Sequence, residues 1–209
     1  GACSFFMMAC STIFVVNLLY RYNVKCHASS SIAMPEMKDI CSALFSVPAS
    51  VSIKPAGGKL LISDPFLEEN YFTHSVVSLI DYEAGGGAMG VVLNHKSPSI
   101  LADVLDDPSI RVDVPVYCGG PLAQDRIFFL HTLGSEIIPG ARAYMPGMYI
   151  GGDFDAVTDY INSGYSLEGT VRFFIGYSSW EDGQLESEIA DGAWAVGDAP
   201  DASELLRGN

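Results

Sequence analysis

The stretch Val171–Val196, VRFFIGYSSWEDGQLESEIADGAWAV, constrains this chain more than any other, because it packs strand, loop, helix and strand signals into one short run. Val171-Arg172-Phe173-Phe174-Ile175 is β-branched and aromatic and is bounded by Gly176, which predicts a strand. Tyr177-Ser178-Ser179-Trp180 is expected to turn the chain. Leu185 and Ile189 are four apart and share one face of a helix predicted over 184–191. Glu181, Asp182, Glu186 and Glu188 crowd the front of that helix, where the positive end of the macrodipole favours carboxylates. Gly192 stands where a C-terminal cap glycine belongs, and Ala193–Val196 predicts a short strand returning to the core.

The remaining segments extend the same pattern. Leu60–Ile62 predicts a strand, halted at Asp64-Pro65. His74–Tyr82 and Met89–Asn94 flank Gly85-Gly86-Gly87 and predict a β-hairpin. Ser99 is expected to cap a short helix with Leu101, Val104 and Leu105 on one face. Val114–Tyr117 and Arg126–His131 predict strands, as do Ala141–Met145 and Met148–Ile150 around the turn pair Pro146-Gly147. Asp153 opens a helix with Phe154, Val157 and Ile161 on one face, ended by Gly164, and 201–206 predicts one further helical turn. Strands outnumber helices and few helices link neighbouring strands, so the class is α+β with largely antiparallel pairing, in one domain over residues 58–209.

The first residues differ. Phe5–Tyr20 is nearly all apolar, but sixteen residues fall short of the roughly twenty that span a bilayer, and no positive charge precedes them as in a signal peptide. Residues 1–33 are expected to be an extension outside the fold, with Met34 and Met37 as candidate starts, and residues 34–57 an approach segment in which Lys38–Phe45 forms a helical turn or two.

Charge excludes one class of function. The chain carries a net charge of −14. Residues 1–54 hold four of the 11 basic and two of the 25 acidic residues, so the remainder carries 7 against 23, a net of −16. The seven basic residues are scattered, and a surface this acidic repels nucleic-acid phosphates. Three of the five cysteines lie in the first 26 residues and no C-x-x-C pair occurs, which fits a reducing compartment with Cys118 as a buried small hydrophobe.

Several blocks carry a resemblance. GKLLISDPFL at Gly58–Leu67, SVVSLIDY at Ser75–Tyr82 and GAMGVVLN at Gly87–Asn94 are followed by VPVYCGGP at Val114–Pro121, RIFFLH at Arg126–His131, MYIGGDFD at Met148–Asp155 and RFFIGYSSWEDGQLESEIADGAW at Arg172–Trp194. In this order they resemble the AlgH/YqgE family of bacteria, in wording closest to its Bacteroidetes branch. The resemblance implies one α+β domain of coiled β-sheets, a cytoplasmic location, no assigned catalytic activity and a label of transcriptional regulator. It also implies a further C-terminal helix with a Trp beyond Asn209, so the chain is expected to be truncated. At Asn94-His95-Lys96 the chain departs from the family's Asn, basic residue and Pro.

No complete catalytic constellation emerges. Gly176-Tyr177-Ser178-Ser179-Trp180 lies between strand and helix like a nucleophile elbow, but Trp180 occupies the position that needs glycine. His131 ends a strand as a candidate base or ligand, while His74, His95 and His131 lack zinc-ligand spacing. The glycine clusters match neither a dinucleotide fingerprint nor a P-loop and are expected to be positive-φ turns. Two readings stand. One is a non-catalytic intracellular binding or regulatory protein, its partner a protein or small metabolite, without cofactor, direct nucleic-acid contact or membrane. Its candidate binding surface is Tyr177, Trp180, Gln184 and His131, and Trp194 with Trp180 would tie the last helix to the sheet. The other is a degenerate hydrolase around Ser178, His131 and Asp125.

Overall fold

Ten strands and four short helices make up residues 53–65 and 71–207, which are the residues described by the computed structural model. β1 (Lys59–Ser63), β2 (Val76–Tyr82) and β3 (Ala88–Val92) form an antiparallel meander, with β10 (Trp194–Asp198) on the outer side of β1. β6 (Leu122–His131), β8 (Met148–Ile150) and β7 (Arg142–Met145) form a second antiparallel set, and β4 (Lys96–Ile100) pairs with β5 (Pro115–Cys118). β9 (Val171–Trp180) joins them all, with β3 and β6 as antiparallel neighbours and β5 as a parallel one. The result is a ten-stranded sheet that branches at one strand. The expected α+β class with largely antiparallel, coiled sheets is what the chain adopts.

The sheet curls until its β7 end meets β2. β7 lies across β2, where Tyr144 Oη is 3.0 Å from Ser78 Oγ and Arg142 donates two 2.8 Å bonds to Asp81. Loss of water around the Tyr144 hydroxyl pushes its pKa up to about 12, so it stays a neutral hydrogen-bonding group. Between the two halves lies a core that draws Leu60, Val76, Val91, Leu130 and Phe174 from both, closed by Leu205 and Leu206 of α4 (Ala202–Arg207). On the outer face of the second half, α1 (Leu101–Leu105) and α2 (Phe154–Asn162) cover Phe129, Val171 and Phe173. On the outer face of the first half, α3 (Gln184–Ala190) covers Leu61, Val77 and Leu79.

The local signals explain most of these elements. Asp153 caps α2 through Ala156 N at 2.9 Å, and Val157 and Ile161 bury the face that the sequence spacing predicts. At the end of α3, Gly192 adopts φ 82° and Ala193 N returns to Glu188 O, the expected left-handed helix end. Several expectations are corrected. Ser99 is not a helix cap: it lies in β4, and Ile100 precedes α1 without a side-chain cap. Val104 is exposed, so only Leu101 of that helix is fully buried. β4 carries Pro98, tolerated because β4 pairs on one side only. Cys118 is half-buried rather than buried. The expectations for residues 1–33, Met34, Met37 and the turn at Lys38–Phe45 lie outside the described residues.

The largest correction concerns Tyr177–Trp180, which continue β9 and do not turn the chain. Before Gly176 the strand pairs with β5 and β6, and after it Tyr177 still faces Leu122 of β6 while Ser178, Ser179 and Trp180 pair with Gly90, Met89 and Ala88 of β3. Gly176 adopts φ 70°, and the alternation of faces slips there: Phe174 and Tyr177 face the same inter-sheet core although three residues apart. Crowding forces glycine at this crossing. A Cβ on Gly176 would stand 2.5 Å from Leu122 O, one on Gly119 2.4 Å from Gly176 O, and one on Gly120 1.9 Å from Tyr177 C. Gly119 and Gly120 are therefore close-approach glycines, not the expected positive-φ turns, and of 85–87 only Gly85 has positive φ.

Gly176→Ala should destabilise the protein by more than about 2 kcal/mol, because the left-handed penalty of about 1–2 kcal/mol adds to a backbone clash. Gly164→Ala, at φ 80° with open space around it, should cost only the first term. Urea unfolding of both variants checks this, and equal costs would remove the crowding argument.

Candidate functional site

Side chains with binding or catalytic chemistry gather in three places. At the β9–α3 corner Trp180 and Trp194 are buried edge to face, with centroids 5.9 Å apart and planes at 81°. Phe72 stacks on Trp180 at 6.1 Å and meets the edge of Trp194 at 5.3 Å. Both indole N–H groups donate to one oxygen, Glu188 Oε2, at 2.9 and 2.8 Å. Gln184 Nε2 donates to Glu188 Oε1 at 2.8 Å, and its Oε1 accepts from Glu181 N at 2.9 Å. Glu186 accepts from Tyr82 Oη and Gly85 N, which holds its carboxyl below the usual range, the tyrosine bond contributing most. Glu186 and Glu188 are thus specific acceptors and not only complements to the helix dipole. Trp180 is buried and Gln184 is exposed. Tyr177 lies on the opposite face of β9, edge-on to Phe128 at 5.5 Å, so it does not frame a pocket with Trp180 and Gln184.

The hydrolase constellation is not assembled. Ser178 is buried within β9 and donates to Gly119 O at 3.2 Å. His131 pairs with Val171, seven residues earlier on β9, which puts it roughly 20 Å away along the strand. Asp125 is exposed on β6. His131 is fully buried between Phe129 and Tyr149. Its Nε2 donates to Gly151 O at 3.1 Å, whereas its buried Nδ1 meets no donor. Burial pushes its pKa down, so the imidazole is held neutral. Among the described residues no three His, Cys, Asp or Glu side chains converge as metal ligands, and no helix is long and apolar enough to cross a membrane.

The third place was not singled out by the sequence. Arg172 is 5% exposed and lies 4.4 Å over the Tyr117 ring. It donates to Leu93 O at 3.0 Å and to Leu206 O at 2.8 Å, tying β9 to the end of β3 and to α4. Beside this stack opens a cleft of about 370 Å³. Its walls are Val114, Pro115, Leu167, Val171 and Leu206. Asp113, Glu168 and Arg207 stand exposed at its edges. Glycine at 169 lets α4 pack closely beside the cleft, because a Cβ there would meet Ser203 O at 2.9 Å and the Arg207 side chain at 3.0 Å. Tyr165, 64% exposed, stacks on Tyr160 two residues before Leu167. An arginine inside an aromatic run was the available signal for this place. What hid it is that its partners, Tyr117 and Leu206, are distant in sequence.

Residues 60–208 match the AlgH-like family. An uncharacterised protein (UPF0301) of Parabacteroides distasonis is 42% identical over 144 residues, covering 69% of this chain and 72% of its own. A Bacteroides thetaiotaomicron protein of the same description is 40% identical over 158 residues, covering 76% and 79%. The solution structure of the AlgH protein from Pseudomonas aeruginosa superposes with a TM-score of 0.59 at 28% identity, over 72% of this chain and 82% of that one. A crystal structure from Corynebacterium diphtheriae gives a TM-score of 0.60 at 23% identity, over 75% and 82%, a likeness of fold alone.

Two outcomes follow from this geometry. Glu188→Ala leaves two buried indole N–H groups without their acceptor and should cost about 1–3 kcal/mol, while Glu188→Gln, which keeps one acceptor oxygen, should cost less. Chemical unfolding of both variants with tryptophan fluorescence tests the order, and equal costs would count against the shared acceptor. For His131, the folded pKa lies below the unfolded value of 6.5. The unfolded chain therefore takes up the proton first as pH falls. The contribution is fully present above about 6.5 and is lost as pH falls towards the folded value. Half-buried His95, also pushed down by burial, adds to the same slope. His131→Gln should flatten the stability profile just below pH 6.5, as measured by unfolding at stepped pH. An unchanged slope would mean that His131 is not held neutral.

Proposed function

The chain belongs to the AlgH-like family, and from that premise we propose that it is a non-catalytic binding protein of the cell interior. It acts by taking a small metabolite, or the end of a protein chain, into the cleft beside Arg172, and it makes no direct contact with DNA. The cleft carries this reading. Its volume of about 370 Å³ lies at the lower end of the roughly 300–1,000 Å³ usual for small-molecule sites, and its apolar walls with a few charged groups at the edges match their chemistry. The net charge of −16 over residues 55–209 supports the exclusion of DNA, since affinity for the duplex is built from phosphate contacts by Lys and Arg. A regulatory role, which the family label suggests, would then run through the bound ligand. The sparse cysteines, with Cys118 a free thiol, support a reducing, cytoplasmic setting.

Two titrations test the proposal. In a thermal-shift screen of small metabolites, some compounds should stabilise the protein but not a folded Leu167→Trp variant, whose larger side chain fills the cleft. Identical responses from both proteins would remove the cleft as the binding site. Labelled duplex DNA at low salt should show no sub-micromolar binding. Tight binding that weakens steeply with salt would overturn the exclusion of DNA.

A further inference from the structure

We propose that the occupant of the cleft is dipolar: an apolar amino acid or a short apolar peptide with a free ammonium group and a free carboxylate. This rests on the reading of the cleft as the binding site and goes on to its ligand chemistry. Charge complementarity decides between the classes. The edges carry Asp113 and Glu168 as carboxylates and Arg207 as a guanidinium. Arg172, the fourth charged group, is committed to two backbone carbonyls and to the Tyr117 ring. A phosphate or dicarboxylate would satisfy Arg207 but bring its charge against Asp113 and Glu168, in a chain already strongly negative. A ligand with only positive charge would satisfy the carboxylates and meet Arg207 with like charge. A neutral apolar ligand would leave all three edge charges without a partner. A zwitterion answers both signs, and its side chains find Val114, Pro115, Leu167, Val171 and Leu206.

Arg207 is placed for this work. Its side chain runs over Gly169, where a Cβ would stand 3.0 Å from both the arginine Cγ and Nε, so the absent Cβ leaves room for the arginine beside the residue that follows Glu168. The amino acid side chains that would be altered as a test are all exposed, so their variants should fold.

The experiment uses the full chain labelled with ¹⁵N and four probes: leucyl-leucine, N-acetyl-leucine without the ammonium, leucinamide without the carboxylate, and N-acetyl-leucinamide without either. Leucyl-leucine should shift amides at 113–117, 167–172 and 206–207 saturably. Each singly capped probe should bind roughly tenfold or more weakly, the usual effect of removing a charge-assisted bond. Arg207→Gln should weaken leucyl-leucine and leave leucinamide unaffected, while Glu168→Gln with Asp113→Asn should weaken leucyl-leucine and leave N-acetyl-leucine unaffected. If N-acetyl-leucinamide shifts the cleft amides as strongly as leucyl-leucine does, the dipolar class is overturned and the cleft stands as a binding site. If none of the four probes shifts them, the dipolar class is overturned. The cleft falls with it only when the wider metabolite screen also leaves those amides in place.

Discussion

β9 hydrogen-bonds to three strands, and everything else in the molecule is arranged by that fact. Its first half belongs with β5 and β6 and its second with β3. One strand can serve both only if its neighbours change partway along, and Gly119, Gly120 and Gly176 let three backbones come within contact where the change happens. Gly119 shows how tightly this crossing is wired. Its N–H donates to Ile175 O, and its carbonyl accepts from Val92 N and from Ser178 Oγ. These bonds satisfy backbone groups that the branching would otherwise leave buried and unpaired, a cost of about 1–3 kcal/mol each.

The ends of β9 carry the two other ties. At its start Arg172 reaches the end of β3 and the end of α4, so the helix that closes the inter-sheet core is fastened to the same strand. At its end Trp180 meets Trp194 and Phe72 and shares Glu188 with Trp194. The cleft stands beside the first of these ties, built from the strand, the loop before it, the chain entering β5 and the helix end. There Arg172, buried, ties β9 to the end of α4 and stacks on Tyr117 of β5.

Much of this was legible in the sequence where the physics is local. The capped helix from Asp153, the Leu185–Ile189 face and the glycine end at Gly192 depend on neighbours a few residues away, and the structure follows them. Strand signals such as Leu60–Ile62 and Val171–Ile175 were likewise readable. The continuation of β9 through Gly176 was not, because a glycine after an apolar run reads as a stop unless one knows that other backbones pack against it. For the same reason Tyr177 and Trp180, which a turn would bring together, stand on opposite faces. β4 was hidden by Pro98, which an edge strand tolerates and a central one does not. Glu188 and Arg172 could not be assigned their roles, since the groups they bind converge only after folding. Ser178 and His131 form the converse case: residue types suited to catalysis that the fold keeps apart, one near the end of β9 and the other on β6 beside the start of β9.

Native-state hydrogen exchange along β9 tests the central claim most directly. If the strand makes the two halves one cooperative body, the protected amides of residues 173–175 and of 178–180 should open with the same free energy and converge at the same low denaturant concentration. Exchange of 178–180 at a clearly lower opening free energy than 173–175, or the reverse, would show that the halves unfold separately and that β9 does not couple them.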